Sequence, residues 1–423
     1  MTSPATARDR VVLMHPTGNQ FFRNLAQAWR RDGRLAEVAT CLDWRAPAWF
    51  DRLLPRGMAA ELSRRALSRD TAGPVVTHPW REAARLAASR LSARALVRHE
   101  TGALSVDAVY RGFDAWMARR IERGRIAASA VYAYEDGAAD SFAAAAARGW
   151  LRGYDLPIAH WRTSRRLLEE EARRWPDWAP TLLGPQDSAE KLARKDRELS
   201  LATHIVCPSE FVAASLPANV RKDRRVIVAP FGSPPCGPER RAPDAARPLR
   251  VLFAGTMTQR KGLADLFAAM RELGTRAAAV ELVVIGSPVL PLEFYRAVGV
   301  RFTYEATRPH AAVLELMRTC DVLCLPSIVE GRALVVQEAM SQGLPAIVTA
   351  NTGASDVVED GASGFIVPIR APGEIARRLA WCAENRAQLG EMGRAAQAAS
   401  VRFSWANHAA TISSALFSEP SNP

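Results

Sequence analysis

The chain contains no uninterrupted apolar run of the ~20 residues that a bilayer-spanning helix needs, and its opening residues, M-T-S-P-A-T-A-R-D-R, carry no signal-peptide pattern. Cysteine is sparse and scattered, at positions 41, 207, 236, 320, 324 and 382. Only Cys320 and Cys324 are near neighbours, and no second pair answers them, which argues against a disulfide framework and against a four-ligand zinc site. Lysine is scarce beside arginine. Neither half has G-x-G-x-x-G after its first strand, which disfavours a dinucleotide oxidoreductase. A reduced, cytoplasmic α/β protein is the expectation these absences leave.

The chain has 423 residues, room for two or three domains. Its net charge of +12 is uneven: residues 1–240 hold 38 Lys+Arg against 27 Asp+Glu, and residues 241–423 hold 18 against 17. A basic N-terminal half suits an anionic partner, such as a phospholipid surface, a lipid-linked phosphate or nucleic acid. Its alternative is a set of solvated arginine-rich helix faces. Arg52 to Leu67 and Trp80 to Arg98 are amphipathic and basic, as in helices that lie on anionic membranes or that simply cover a sheet.

Both halves open in the same way, with a strand, a glycine-containing loop and a helix. In the first, a strand over Arg10–Met14 leads through His15-Pro16-Thr17-Gly18-Asn19 into a helix over Phe21–Arg31. A strand over Ala130–Tyr134 ends at Glu135-Asp136-Gly137, before a helix over Ala138–Arg148. A further strand is expected over Tyr154–His160, which puts His160 at a strand C-terminus beside Arg162. A proton carrier or a phosphate contact would sit there, although a lone histidine is more often structural. Strands over His204–Pro208 and Arg225–Pro230 follow, with Ser209 as a helix N-cap between them. The proline-rich stretch Ser233–Pro248 is a linker.

In the second half, a strand over Leu249–Ala254 opens into Gly255-Thr256-Met257-Thr258-Gln259-Arg260-Lys261-Gly262 and a helix over Leu263–Leu273. Glycine with adjacent Arg and Lys at a helix start makes a phosphate cradle, though not of the Walker type. Strands are expected over Glu281–Ile285, Val300–Tyr304, Asp321–Pro326, Ala346–Thr349 and Gly364–Val367. The run S-I-V-E-G-R-A-L-V-V-Q-E-A-M-S-Q-G-L-P, Ser327 to Pro345, places Glu330 in the loop after a strand and Glu338 about two helical turns on. Ligands of open parallel sheets bind beyond strand C-termini, so Glu330 belongs at the mouth of a cleft. Its bland alternative is a carboxylate that merely favours the helix dipole. Helices over Pro372–Asn385 and Ser404–Phe417 close the chain. Two β/α halves with a cleft between them are the architecture expected.

From about residue 225 to 415 the chain resembles the retaining GT-B glycosyltransferases of family 4. The resemblance is carried by G-T-M-T-Q-R-K-G (Gly255–Gly262), by an E-x7-E pattern with its E-A-M-S-Q-G-L-P tail (Glu330–Pro345), by N-T-G-A-S-D-V-V-E-D-G-A-S-G-F-I-V-P (Asn351–Pro368) and by F-S-W (Phe403–Trp405). It implies a GT-B fold: an acceptor-binding Rossmann-like domain over 1–235, a linker over 236–248, a donor-binding Rossmann-like domain over 249–402, and a final helix over 403–423 crossing back onto the first domain. It implies glycosyl transfer with retention from a nucleotide-diphosphate sugar to a glycan or lipid-linked acceptor, typical of surface-polysaccharide assembly. Lys261 and Arg260 would neutralise the diphosphate, Glu338 would bind the ribose hydroxyls, and Glu330 would face the donor sugar. Gly255, Thr256, Gly331 and Arg332 would line the donor site, His160 would stand near the reacting sugar, and Gly18, Asn19, Glu135 and Asp136 would face the acceptor. The sequence departs from the family at Thr256, where arginine is usual, and at Gly331-Arg332. No Asp-x-Asp stands at a strand end, so neither a metal nor another cofactor is expected. A peripheral position on the inner face of the membrane follows from the basic half.

Two rival readings remain. A sugar-nucleotide epimerase on the same two-lobed layout would need no acceptor. A non-enzymatic basic protein at a membrane or on nucleic acid explains the charge over 1–240 but not the ordered motifs after 249, so no nucleic-acid partner is expected.

Overall fold

Short apolar runs form the strands of the first half: β1 (Val11–Met14), β2 (Leu35–Thr40), β3 (Val75–Thr77), β4 (Ala130–Tyr134), β5 (Leu151–Asp155), β6 (His204–Cys207) and β7 (Arg225–Val228). In the computed structural model, which describes residues 10–44, 62, 65–67, 74–182, 187–238 and 246–417, they pair in the order β3-β2-β1-β4-β5-β6-β7, every pair parallel. The second half repeats the plan with β8 (Leu249–Ala254), β9 (Val280–Ile285), β10 (Thr303–Glu305), β11 (Val322–Leu325), β12 (Ala346–Thr349) and β13 (Gly364–Val367). Their order is β10-β9-β8-β11-β12-β13, again all parallel. A parallel sheet is covered by helices on both faces, which is why V-V-L-M and V-L-C-L are buried throughout instead of alternating.

This order sets where ligands go. The chain crosses from one side of each sheet to the other between β1 and β4, and between β8 and β11. The loops leaving such neighbouring strands diverge and open a crevice. After β8 and β11 these loops carry Gly255–Lys261 and Glu330. After β1 and β4 they carry Gly18-Asn19 and Glu135-Asp136.

Two expected strands shift. The one expected over Tyr154–His160 is β5, earlier in the chain. Leu156 N–H still bonds Val206 O (2.9 Å), and Pro157, with no N–H, then ends the ladder. The one expected over Val300–Tyr304 is β10, an edge strand paired to β9 alone. The basic stretch Arg52–Leu67, apart from Leu62 and residues 65–67, and residues 239–245 of the linker lie outside the described residues.

The halves meet along a continuous seam. The final helix, Trp405–Phe417, packs on the helix Gln20–Arg31, with Ala409, Ile412 and Leu416 in the N-terminal core and Ser413 Oγ accepting from Trp29 Nε1 (2.7 Å). A second bridge was not anticipated. The helix Trp161–Arg174 and the turn Pro176–Thr181 follow β5, yet Trp178 is buried in the C-terminal core against Phe267, Phe294 and Tyr295. Arg174 pairs with Asp265 (2.6 Å), Arg370 pairs with Glu170 (2.8 Å), and Gln259 Nε2 donates to Glu171 (2.6 Å). The boundary at 235 therefore does not separate two independent cores: Trp161–Leu182 belongs to both.

Candidate functional site

The crevice of the C-terminal sheet is a cavity of about 400 Å³, with Phe21 of the N-terminal half also on its lining. Its floor needs glycine. Gly255 has φ +146°, and a Cβ there would stand 2.8 Å from Lys261 Cδ. Gly286, at φ +150°, would put a Cβ 1.9 Å from Gly255 O. The side chain of Lys261 can therefore fold back over the loop toward the cleft.

Lys261 Nζ lies 2.7 Å and Arg260 Nη1 2.9 Å from the same oxygen, Glu330 Oε1. Arg260 Nη1 also donates to Val329 O (3.0 Å). Glu330 is buried, which works to raise its carboxyl; Lys261 and then Arg260 outweigh burial and hold it below the usual carboxylate range. A cation pair held by one carboxylate is a site that a diphosphate can take over. The helix Leu334–Ser341 points its N-terminus into the cleft, with Ala333, Leu334 and Val335 on the lining, and helix N-termini favour anions. Thr256 lines the cleft as well. Glu338 stands one turn beyond Leu334, and its Oε1 is 3.0 Å from His310 Nε2.

Arg332 lies on the lining of the same cleft, with much of its guanidinium committed to protein groups. It is fully buried and works as a clamp, donating to Pro208 O (3.3 Å), Gly353 O (3.1 Å), Gln337 Oε1 (2.8 Å) and Asp356 (2.7 Å). Gly331 is pressed against the N-terminal half: a Cβ would lie 1.7 Å from Pro157 O, while Gly331 O accepts from Ser209 Oγ (2.6 Å).

On the N-terminal side, Gly18 has φ +64° and Asn19 caps the helix Gln20–Arg31 through Phe22 N (2.7 Å). Both hold His15: Gly18 N donates to His15 Nδ1 (2.9 Å), and Asn19 Nδ2 is 3.2 Å from His15 Nε2. Burial pushes the His15 imidazole down to about 3, so it stays neutral. Phe21, which no motif marked, is what reaches the cleft, stacked on Phe231 at 4.0 Å. Asp136 adopts φ +75°, and Asp136 N and Ala138 N donate to Glu198 (3.0 and 3.1 Å). Glu135 faces Lys195 at 3.5 Å.

His160 is not among the residues lining the donor cleft. It is buried, and it caps the helix Trp161–Arg174 by accepting from Arg162 N at Nδ1 (3.3 Å), with Nε2 3.3 Å from Asp196. Burial lowers its pKa, against the pull of Asp196. With Pro157 ending the ladder early, His160 falls at the start of the helix Trp161–Arg174 instead of at a strand end.

The model of a family described as "Glycosyl transferases group 1" matches residues 239–399. A D-inositol 3-phosphate glycosyltransferase from Arthrobacter sp. is 28% identical over 250 residues, 54% of this chain and 59% of that protein. A second, from Segniliparus rotundus, is 31% identical over 164 residues, 37% and 36% of the two chains. A putative colanic acid biosynthesis glycosyltransferase, WcaL of Salmonella typhimurium, is 29% identical over 145 residues, 31% and 36%. The matches thus span less than two thirds of these relatives. Among solved structures, sucrose-phosphate synthase from Thermosynechococcus elongatus superposes with a TM-score of 0.65 at 16% identity, covering 96% of this chain and 97% of that one. HepE of Anabaena, solved with UDP, gives 0.61 at 16%, covering 95% and 98%. The fold is GT-B.

Proposed function

We propose, from a C-terminal half that belongs to the glycosyl transferases group 1, that this protein transfers a sugar from a nucleotide-diphosphate donor to a glycan or lipid-linked acceptor with retention at the anomeric carbon. The observation that carries the reading is the ion trio of Arg260, Lys261 and Glu330, set between the two crevice loops and beside the N-terminus of Leu334–Ser341. The donor diphosphate takes Arg260 and Lys261 from Glu330, Glu338 binds the ribose hydroxyls, and Glu330 turns to the sugar. The acceptor hydroxyl oxygen bonds to the anomeric carbon as the bond to the diphosphate oxygen breaks, and the hydroxyl proton passes to the departing diphosphate. Arg260, Lys261 and the helix N-terminus stabilise the charge that builds there, so no metal is needed for this task.

A surface-polysaccharide or related acceptor is supported by two relatives, a putative colanic acid biosynthesis glycosyltransferase and a D-inositol 3-phosphate glycosyltransferase. Membrane docking at the inner, cytoplasmic face is part of the same proposal. It is supported by the basic N-terminal half and by Trp80 and Leu91, 77% and 81% exposed beside Arg81 and Arg90. Among the described residues no helix is long and apolar enough to cross a membrane.

The test is a thermal-shift screen with UDP, GDP, ADP and NAD, without metal, on the wild type, Lys261→Ala and Glu338→Ala. A ligand at ~100 times its dissociation constant adds about 2.7 kcal/mol. One nucleoside diphosphate should stabilise the wild type and neither variant. Lys261→Ala should also slow transfer on the order of 10²–10³-fold. A response to NAD alone, or to nothing, sinks the proposal, and turnover of the sugar nucleotide without any acceptor product favours an epimerase.

A further inference from the structure

A second cavity, of about 230 Å³, lies on the other side of Arg260. Lys261 and Glu330 line the donor cleft; Arg260 and Val329 line this one, facing Glu135, Trp161, Arg165 and Lys195 of the N-terminal half. The two spaces share a wall, because Glu330 Oε1 holds both cations and Arg260 is also tied to Val329 O at 3.0 Å.

The polar atoms of this cavity alternate in sense. Lys195 Nζ is 3.5 Å from Glu135 Oε1 and 3.2 Å from Asp187 Oδ2. Burial lifts the Glu135 carboxyl to about 7, against the pull of Lys195. Arg165 Nη2 donates to the backbone oxygen of Asp187 (3.0 Å), and the guanidinium lies 5.5 Å from the centroid of the Trp161 ring. The Trp161 N–H is already satisfied by Asp196 (2.8 Å), so the ring is held in place without a ligand. Sugar hydroxyls donate and accept at once, so they can bridge an ammonium and a carboxylate, while the C–H face of a ring packs on indole.

We propose that this second cavity is the acceptor compartment and takes one hexose ring, held by Glu135, Lys195 and Arg165 and packed against Trp161. The inference rests on the glycosyl-transfer reading above, which supplies the donor. The shared wall then orders the reaction. Only a bound diphosphate draws Arg260 and Lys261 off Glu330, so the two compartments connect after the donor has entered, and the donor binds first.

Release of nucleoside diphosphate from UDP-glucose, GDP-mannose or ADP-glucose, whichever matches the stabilising nucleotide, tests this. It is measured with and without p-nitrophenyl glucoside, galactoside and mannoside, in both anomers, on the wild type and on Ser164→Phe. Ser164 lines the cavity, and a phenyl ring there fills it. At least one hexoside should speed release by the wild type. Ser164→Phe should lose that stimulation while keeping the unstimulated release and the nucleotide-induced rise in melting temperature. Glu135→Gln and Lys195→Met should raise the hexoside concentration needed on the order of tenfold, the size of one charge-assisted hydrogen bond. The latter pair carries the test if Ser164→Phe melts before the wild type. The proposal is overturned if no hexoside stimulates the wild type, if the filled or charge-altered cavity keeps full stimulation, or if Ser164→Phe loses unstimulated release. A wild type that binds no nucleotide refutes the donor reading instead, a separate result.

Discussion

The losses on removing Glu330 and Lys261 should overlap instead of adding. Glu330 is 8% exposed, and its Oε1 receives Lys261 Nζ at 2.7 Å and Arg260 Nη1 at 2.9 Å. Lys261→Ala leaves the buried carboxylate with Arg260 alone. Losing one charge-assisted hydrogen bond costs about 1.5–3 kcal/mol; the 3–5 kcal/mol of breaking a whole buried pair is the upper bound. Glu330→Gln leaves the ammonium without its carboxylate. The double variant removes both stranded charges, so its loss should fall short of the sum of the single losses by about 1–2 kcal/mol. Urea melts of the four proteins without nucleotide measure this cycle. The pH dependence has a definite sign. Glu330 has a depressed folded pKa, so its stabilisation is present above the unfolded carboxylate value and fades as pH falls through the folded one. The wild type and Glu330→Gln should therefore converge in stability below roughly pH 4. With nucleotide present the same competition predicts opposite behaviour of the two partners. Glu330→Gln frees the cations, so a nucleoside diphosphate binds it at least as tightly as the wild type while transfer falls. Lys261→Ala loses both. Losses that add within about 0.5 kcal/mol, or equal weakening of nucleotide binding by the two substitutions, would refute the view that carboxylate and diphosphate compete for one cation pair.

Trp178→Ala should cost about 3–5 kcal/mol, because the indole is buried against three aromatic rings. The loss should appear as a lowered melting temperature of the C-terminal half, although Trp178 follows β5 in the chain, and an unchanged melt would show that the bridge is superficial. Gly331→Ala forces a Cβ to within 1.7 Å of Pro157 O, so the seam must open there. Transfer should collapse while nucleotide-induced stabilisation survives, and wild-type turnover would refute the tight contact. Burial raises Glu198 to about 8 and Asp155 to about 7. Acids with raised folded pKa values stabilise most below their unfolded pKa and lose that contribution as pH climbs toward the folded one, by at most about 1.4 kcal/mol per pH unit each. The N-terminal half should thus weaken between about pH 4 and about pH 8, and Glu198→Gln should flatten the decline in melting temperature across that range; an undiminished slope would refute the assignment.

What the sequence shows and hides follows from which contacts are local. A-I-V-T and G-F-I-V were legible to the residue as β12 and β13, since a strand buried on both faces is apolar at every position and Pro345 and Gly364 mark the edges. L-A-E-V-A-T was not legible as β2. Its Glu37 suits a helix by composition, and only Arg120, 2.7 Å away across the fold, makes it tolerable in a buried strand. The helix Val106–Glu122 was missed for a related reason. Asp114 is buried on it, where Asp140 N and Ser141 N donate to the carboxylate at 2.7 and 2.9 Å, and a buried polar position erases the apolar stripe that would betray a helix.

The site divides in the same way. Gly255, Lys261 and Glu330 stood out because loop chemistry is local, but their meeting depends on β8 and β11 being neighbours, and strand order is not written at any one position. Phe21 and Trp161 carry no motif, for an aromatic at a helix start becomes a cleft wall only when the other half docks against it. Arg332 lines the cleft as expected, yet its partners could not be read from the sequence. It sits two residues from Glu330, and a guanidinium beside a donor signature invites a phosphate. Asp356, Gly353 and Pro208 claim it instead, and all three lie at least 21 residues away. A charged side chain takes its role from the nearest unsatisfied partner in space. Arg260 and Lys261 remain candidates for the diphosphate because the carboxylate they share faces the cleft, where an incoming anion can compete for them. Arg332 lines the cleft too, but its Nη1 is held by Asp356 and its Nε by Gln337, and an incoming anion would have to displace both.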